Sequence, residues 1–230
     1  MQSSGLDTCV SFVYELSCFE LLTDEEKELI NSNSVLVNFK KGETVCKQGS
    51  FASHIMYLEK GLVKIYLEGN PKDLILTVTP PKNLMGLQSL FEGNNTFLYS
   101  ISTYTEVSLR MIDIQIFKQL LKQNPRFSYR ILNILNESAS QAYGRFFSLT
   151  QKQLNGRLAD ILLCLSRRIF KSDSFNLPIS RSDLSDLTSM STESVIRIMK
   201  DFKDDGIIDI KNKEITLLDL ARLERISAKG

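Results

Sequence analysis

The sequence predicts an α+β chain of two domains: a β-rich N-terminal domain closed by one long helix, then a smaller helical domain ending in a β-hairpin. Three observations carry this reading. The chain has 230 residues, 43% of them hydrophobic, enough for two ordinary cores. Between Val35 and about Ile112, short alternating apolar segments are separated by glycines and prolines, the pattern of an all-β barrel or roll. After Asp113 the apolar spacing changes to three and four residues, and it stays helical until a short β-patterned stretch near Ile207.

The elements follow in order. Thr23-Asp24-Glu25-Glu26 starts a helix, with Thr23 as N-cap and carboxylates in the first turn. Strands are expected at Val35–Phe39, Ile55–Leu58, Leu62–Leu67 and Leu74–Val78, punctuated by Gly42, Gly49, Gly61, Gly69 and Pro80-Pro81. Ile114, Phe117, Leu120 and Leu121 form one helical face that ends at Asn124. Asn124-Pro125 then caps and opens a long helix over about 125–150. On it Phe127, Ile131, Ile134, Leu135, Ser138, Ala142 and Phe146 recur over about six turns. That stripe is long for a helix closing a small β domain. The small residues Ser138, Ala139 and Ala142 permit close approach of a twin helix, so Phe127, Ile131, Ile134, Leu135, Ser138 and Ala142 are the expected homodimer interface.

Thr150-Gln151-Lys152-Gln153 is a polar interruption, and it sets the expected domains at 1–150 and 151–230. A second amphipathic helix follows, carrying Leu154, Leu158, Ile161, Leu162, Leu165 and Ile169, and the stretch Lys171–Asn176 reads as a loop. Ser180-Arg181-Ser182-Asp183 can cap a short helix with Leu184 and Leu187 facing inward. Thr188-Ser189-Met190 makes a turn, and Ser191 caps a further helix with Val195, Ile198, Met199 and Phe202 at i, i+3, i+4 and i+7. Gly206 stops it, and Ile207–Ile210 and Glu214–Leu217 flank the basic tip Lys211-Asn212-Lys213. Two short helices joined by a tight turn and followed by a β-wing make a winged helix-turn-helix.

The opposite face of the second helix suits double-stranded DNA. Thr192, Glu193, Ile196 and Arg197 fall where a recognition helix meets base edges. Arginine can donate twice to a guanine edge, and glutamate can accept from a cytosine amino group. Ser180, Arg181, Ser182, Ser191, Ser194, Lys200, Lys211 and Lys213 are the expected phosphate contacts.

Composition narrows the alternatives. Net charge is +1, with 14 Lys and Arg against 12 Asp and Glu in residues 151–230, so the placement of cations matters more than their total. A single histidine, His54, gives no His-cluster metal site and few general bases, which argues against an enzyme on the β-roll. The cysteines Cys9, Cys18, Cys46 and Cys164 show no Cys-x-x-Cys spacing. They are expected as reduced, mostly buried thiols, and iron–sulfur chemistry is disfavoured. Haem is disfavoured by the histidine count, although cysteine can serve as an axial ligand. No apolar run approaches the ~18–20 residues of a membrane span. The start Met1-Gln2-Ser3-Ser4-Gly5 lacks a leader pattern, so a cytoplasmic location is expected.

Leu177–Leu184, Ser191–Arg197 and Asp205–Ile208, with Gly156–Leu163 before them, resemble the cyclic-AMP receptor protein/FNR (Crp/Fnr) family of transcription regulators. Lys41-Gly42-Glu43, Gln48-Gly49-Ser50 and Tyr57–Gly61 resemble the glycine-marked roll of its sensor domain. The resemblance implies a cyclic-nucleotide-binding-like roll (a double-stranded β-helix), a dimer helix and a DNA-binding domain, with RNA polymerase as a further partner. It also implies that Glu193 and Arg197 hold the family's two chief base-reading positions. Gly86, Leu87 and Gln88 correspond to the family's effector pocket. Leucine stands there in place of a ribose-binding carboxylate, and no arginine or lysine lies between Leu87 and Leu109. Cyclic AMP is therefore not the expected effector. Ser189 stands where glycine often makes the turn, and Ile196 replaces a small residue beside the reading arginine. The competing reading is an effector-binding or interaction module of the same fold that does not bind DNA; it would predict a damaged recognition helix.

Overall fold

The structure is a computed structural model that describes residues 8–9 and 18–229; the opening Met1–Gly5 segment lies outside them. The chain forms two compact units. The first comprises residues 12–68 and 78–139, and the second residues 1–11, 69–77 and 140–230.

Among the described residues of the first unit, a 3-10 turn over Cys18–Leu21 precedes α1 (Asp24–Ser32), which Thr23 and Glu26 start through a reciprocal capping box. Eight strands follow in the chain: β1 (Ser34–Phe39), β2 (Thr44–Cys46), β3 (His54–Lys60), β4 (Val63–Leu67), β5 (Leu74–Thr79, of which residues 74–77 are counted with the second unit), β6 (Asn83–Met85), β7 (Ser100–Thr103) and β8 (Val107–Asp113). They form two four-stranded sheets in the orders β1-β8-β3-β6 and β2-β7-β4-β5. The pairing is antiparallel, with Ser34 opposite Ile112 and Phe39 opposite Val107 at the two ends of β1 and β8. Register is set by burial where inward residues alternate: Val63 and Ile65 on β4 and Val107 and Leu109 on β8 are buried, and a one-residue slip would turn them outward. Gly61 (φ +91°) makes the turn into β4 because a Cβ there would lie 2.2 Å from the carbonyl oxygen of Glu106.

Asp113 caps α2 (Ile114–Gln123) by accepting from the amides of Gln115 and Ile116. Asn124 accepts from the Phe127 amide at 3.0 Å and so starts α3 (Pro125–Gln151), 27 residues or about 40 Å long. Phe117 and Phe127 meet edge to face at 5.3 Å. Phe127, Ile131 and Ile134 join Ile55, Leu87, Ile112, Phe117 and Leu120 in one buried cluster, and Leu135 packs against it. Each such side chain contributes about 1.5–3 kcal/mol by leaving water.

This placement corrects the expected dimer stripe. Phe127, Ile131 and Ile134 are covered by their own domain and are not free to meet a partner. Ser138 is half-buried and Ala142 is exposed. The apolar face left open on α3 is a neighbouring one: Tyr129, Leu132, Tyr143 and Phe146 are 51–71% exposed, and Ala139 is exposed between them.

In the second unit, α4 (Leu154–Cys164) continues as a π-helical turn over Leu165–Phe170. There follow β9 (Ser174–Asn176), α5 (Arg181–Thr188), α6 (Thr192–Asp204), β10 (Ile208–Lys211), β11 (Glu214–Leu217) and α7 (Leu220–Lys229). Residues 174–176, read from sequence as loop, form the third strand of the wing sheet, with Phe175 opposite Ile215. A three-residue strand with one inward residue leaves almost no period to read. The cysteine expectation is corrected in part. Cys18 and Cys46 are free thiols, whereas Cys9 and Cys164 are joined in a disulfide.

Candidate nucleic-acid interface

The interface is built from caps and one turn. Ser180 Oγ accepts the Asp183 amide at 3.0 Å, and the Asp183 carboxylate accepts the Ser180 amide at 3.1 Å, so α5 starts on a reciprocal box. Ser189 takes the left-handed conformation (φ +51°, ψ +42°) that ends α5. Ser185 fastens the turn: its hydroxyl donates to the Met190 carbonyl at 2.7 Å, and its carbonyl accepts the Met190 amide at 3.1 Å. Ser191 Oγ accepts the Ser194 amide at 3.2 Å and starts α6.

Val195, Ile198, Met199 and Phe202 are buried beneath α6, which fixes its opposite face outward. Glu193, Ile196, Arg197 and Lys200 are exposed there, and Thr192 and Ser194 are half-buried. A hydrogen bond from its own backbone amide, with a further one from Ser191, holds the Glu193 carboxyl below its ordinary value; it is ionised at neutral pH. Arg197 lies 3.5 Å from Asp201 one turn on, with both side chains more than half exposed. Such a solvated pair contributes little and can be exchanged for a stronger acceptor.

The wing is joined to α6 by Lys203, which donates to the Ile210 carbonyl at 2.9 Å and lies 3.3 Å from Asp209. Asn212 (φ +57°) turns the hairpin, and Lys211 and Lys213 on either side of it are exposed. Ser180 and Ser182 are exposed and Arg181 is half-buried. The expected base-reading and phosphate residues thus lie on α6, on the starts of α5 and α6, and on the wing tip of a single domain.

Sequence reasoning missed the polar network beneath this surface. Asp160, 5% exposed, accepts from Ser148 at 2.9 Å, from Lys152 at 2.7 Å and from Ser227. Arg157 donates to the carbonyls of Lys152 (2.9 Å) and Thr188 (3.4 Å). Arg145, 7% exposed, donates to the Leu187 carbonyl at 2.5 Å. Burial lowers the Arg145 pKa to about 10, against the pull of Asp160, so it keeps its charge at neutral pH. Two arginines therefore hold the last carbonyls of α5, where a helix end favours cations. The signal available in the sequence was a charge, Asp160, inside the apolar run Leu158–Leu163.

In the roll, Gly86 (φ +89°) precedes a 3-10 turn over Leu87–Leu90. Leu87 is 4% exposed and belongs to the main buried cluster. The Gly86 amide donates to the Tyr99 hydroxyl at 2.8 Å, and that hydroxyl donates to Gln88 Oε1 at 3.1 Å. The Phe97 ring lies 3.3 Å from where a Gly86 Cβ would be. Separately, a cleft of about 280 Å³ in the same unit is lined by Phe19, Leu22, Ile30, Tyr57, Lys27 and Arg110 among others. Arg110 pairs there with Glu59 at 2.7 Å.

Comparison with known proteins agrees with this architecture. Residues 36–124 match the family model of the cyclic nucleotide-binding domain, and residues 156–226 that of the Crp-like helix-turn-helix domain. The transcriptional activator protein FnrA of Stutzerimonas stutzeri is 24% identical over 187 residues, which cover 78% of this chain and 75% of that one. A CRP-like cAMP-activated global transcriptional regulator of Mycobacterium tuberculosis is 26% identical over 195 residues, 82% and 86% of the two chains. The solved structure of FixK2 from Bradyrhizobium japonicum superposes with a TM-score of 0.78 at 19% identity, covering 86% of this chain and 98% of that one. Among the described residues, no helix is long and apolar enough to cross a membrane. With a cyclic nucleotide-binding domain followed by a Crp-like helix-turn-helix, the chain belongs to the Crp/Fnr family of DNA-binding transcription regulators.

Proposed function

We propose that the protein is a homodimer that reads a palindromic DNA site through α6 and answers a signal other than cyclic AMP. The observation that carries this reading is the outward face of α6: Glu193, Ile196 and Arg197 are exposed on a helix whose other face is locked into its domain. Arg197 reads a guanine edge and Glu193 a cytosine amino group, with Thr192 and Ile196 beside them. Ser180, Arg181, Ser182, Ser191, Ser194, Lys200, Lys211 and Lys213 position the phosphates. RNA polymerase is the second macromolecular partner in this reading.

The homodimer is supported by the open apolar face of α3. Tyr129, Leu132, Ala139, Tyr143 and Phe146 are spaced by three, seven, four and three residues, the a/d spacing of a two-helix seam. A two-fold dimer presents two α6 helices one DNA turn apart, about 34–36 Å.

The reading of the effector rests on the segment Gly86–Tyr99, the cassette of the roll. Leu87 is buried in the core rather than turned to a ligand, and the Gly86 amide and Gln88 are already occupied by Tyr99. No arginine or lysine lies between Leu87 and Leu109 to pair with a cyclic phosphate. For a small anionic metabolite with an apolar body, the cleft beside Lys27 and Arg110 offers the matching side chains. Selection of binding sites from random DNA tests the proposal. A palindrome should emerge from the wild type, and one base pair per half-site should lose its preference in Arg197→Ala. An unchanged motif in that variant would contradict it.

A further inference from the structure

The four cysteines fall into two kinds. Burial pushes the thiols of Cys18 and Cys46 up to about 12, so neither supplies a thiolate at neutral pH. Cys9 and Cys164 are bonded to each other across 155 residues of sequence. Thr8 and Cys9 lie in no helix or strand, while Cys164 is the last residue of α4. Cys9 is fastened a second time, since buried Gln141 on α3 donates to its carbonyl at 2.5 Å. Residue 9 therefore ties the C-terminal half of α3 to the end of α4.

That tie acts where DNA reading is supported. The helix α4 packs on α5, α6 and α7. It carries Arg157, which reaches the Thr188 carbonyl at the end of α5, and Asp160, which binds Lys152 just after α3. A crosslink closing so long a loop restrains the chain far more than a hydrogen bond does. With the bridge open, the Gln141 hydrogen bond still holds this residue.

We propose that Cys9 and Cys164 form a reversible thiol–disulfide site whose bridged state holds α4 against α3 and raises affinity for DNA. The oxidant is a low-molecular-weight disulfide, RSSR. One protein thiolate attacks an RSSR sulfur and expels RS⁻, leaving a mixed disulfide. The second protein thiolate attacks the protein sulfur of that mixed disulfide and expels the second RS⁻. Two protein thiols lose two electrons and two protons, and RSSR becomes two RSH. Excess RSH reverses both steps.

This inference rests on the DNA-binding reading, and its test separates the two. Full-length protein is equilibrated at a series of reduced-to-oxidised glutathione ratios, quenched in acid, alkylated and mapped by peptide mass. Affinity for the selected site is measured in parallel by fluorescence anisotropy. A linked Cys9–Cys164 peptide should appear and vanish reversibly, with Cys18 and Cys46 recovered as alkylated thiols. Affinity should rise roughly fivefold or more in step with the bridge, the usual scale of coupling between two sites. Cys9→Ser, a change outside any helix or strand, should hold affinity at the reduced value at every ratio, and Cys46→Ser should leave the response intact. The proposal is overturned by the absence of the linked peptide at every ratio, by equal or weaker affinity of the bridged form, or by a response that survives Cys9→Ser. If no form selects a DNA site, the DNA-binding reading falls and takes the affinity claim with it, while the peptide map still decides the bridge.

Discussion

The cassette of the roll, Gly86–Tyr99, and the recognition element, Ser180–Lys203, lie in the two regions that family models match, and they differ in what they leave exposed. On α6 Val195, Ile198, Met199 and Phe202 are buried while Glu193, Ile196, Arg197 and Lys200 are exposed, so the surface is available to a ligand. In the cassette the key position is apolar and faces the core, and the polar atoms nearby bond to one another. Gly86 keeps a left-handed backbone turn, yet the side chain that follows it, Leu87, is apolar and buried.

The comparison can be broken most forcefully through assembly, because reading two half-sites requires two recognition elements. Tyr143→Asp with Phe146→Asp should yield monomers by light scattering and lower affinity for a palindrome by about 100-fold or more, the scale on which linked sites reinforce each other. A dimer that survives this double change would remove the exposed face of α3 from the account. Arg197→Ala should follow, costing roughly 1–3 kcal/mol per half-site in a binding titration on the selected site.

The cassette should respond in stability rather than in binding. Leu87→Glu places a carboxylate in the buried cluster and should cost about 3 kcal/mol or more, lowering the melting temperature by roughly 6–12 °C. No cyclic AMP heat should appear by calorimetry in this variant or in the wild type. A variant that melts as the wild type does, and binds the nucleotide, would show that position 87 still faces a ligand site.

Smaller effects sharpen the division of labour on the DNA side. Lys213→Ala should weaken binding to cognate and random DNA alike and reduce the log–log salt slope by about 1.8, two phosphates in a dimer at about 0.9 each. Ser189→Gly should stabilise the C-terminal domain by about 0.5–1 kcal/mol, read in thermal melts, because glycine takes the left-handed turn without the steric cost of a Cβ.

How much of this was legible in the sequence differs from element to element. The caps Thr23, Asn124, Ser180 and Ser191 all act as their residue types suggest, since a cap is a local hydrogen bond needing no tertiary information. Of the eight strands of the roll, β1, β3, β4 and β5 were legible from their apolar alternation, whereas β7 is buried at every position and leaves no two-residue period. On α3 two apolar stripes share the helical period. Spacing alone could not say which stripe the sensor domain covers, and the first half of the one assigned to a partner, Phe127, Ile131 and Ile134, is internal, whereas Ala142 and Phe146 stay exposed. The bridge between Cys9 and Cys164 could not be read either, because a contact across 155 residues has no local signature.

The central claim is that α6 reads DNA while the roll no longer takes cyclic AMP. Its most direct test is one titration of the wild-type protein against its selected palindrome, with and without saturating cyclic AMP. The account predicts tight, sequence-specific binding and the same dissociation constant in both arms. Binding that appears only with the nucleotide, or that tightens tenfold in its presence, would contradict it.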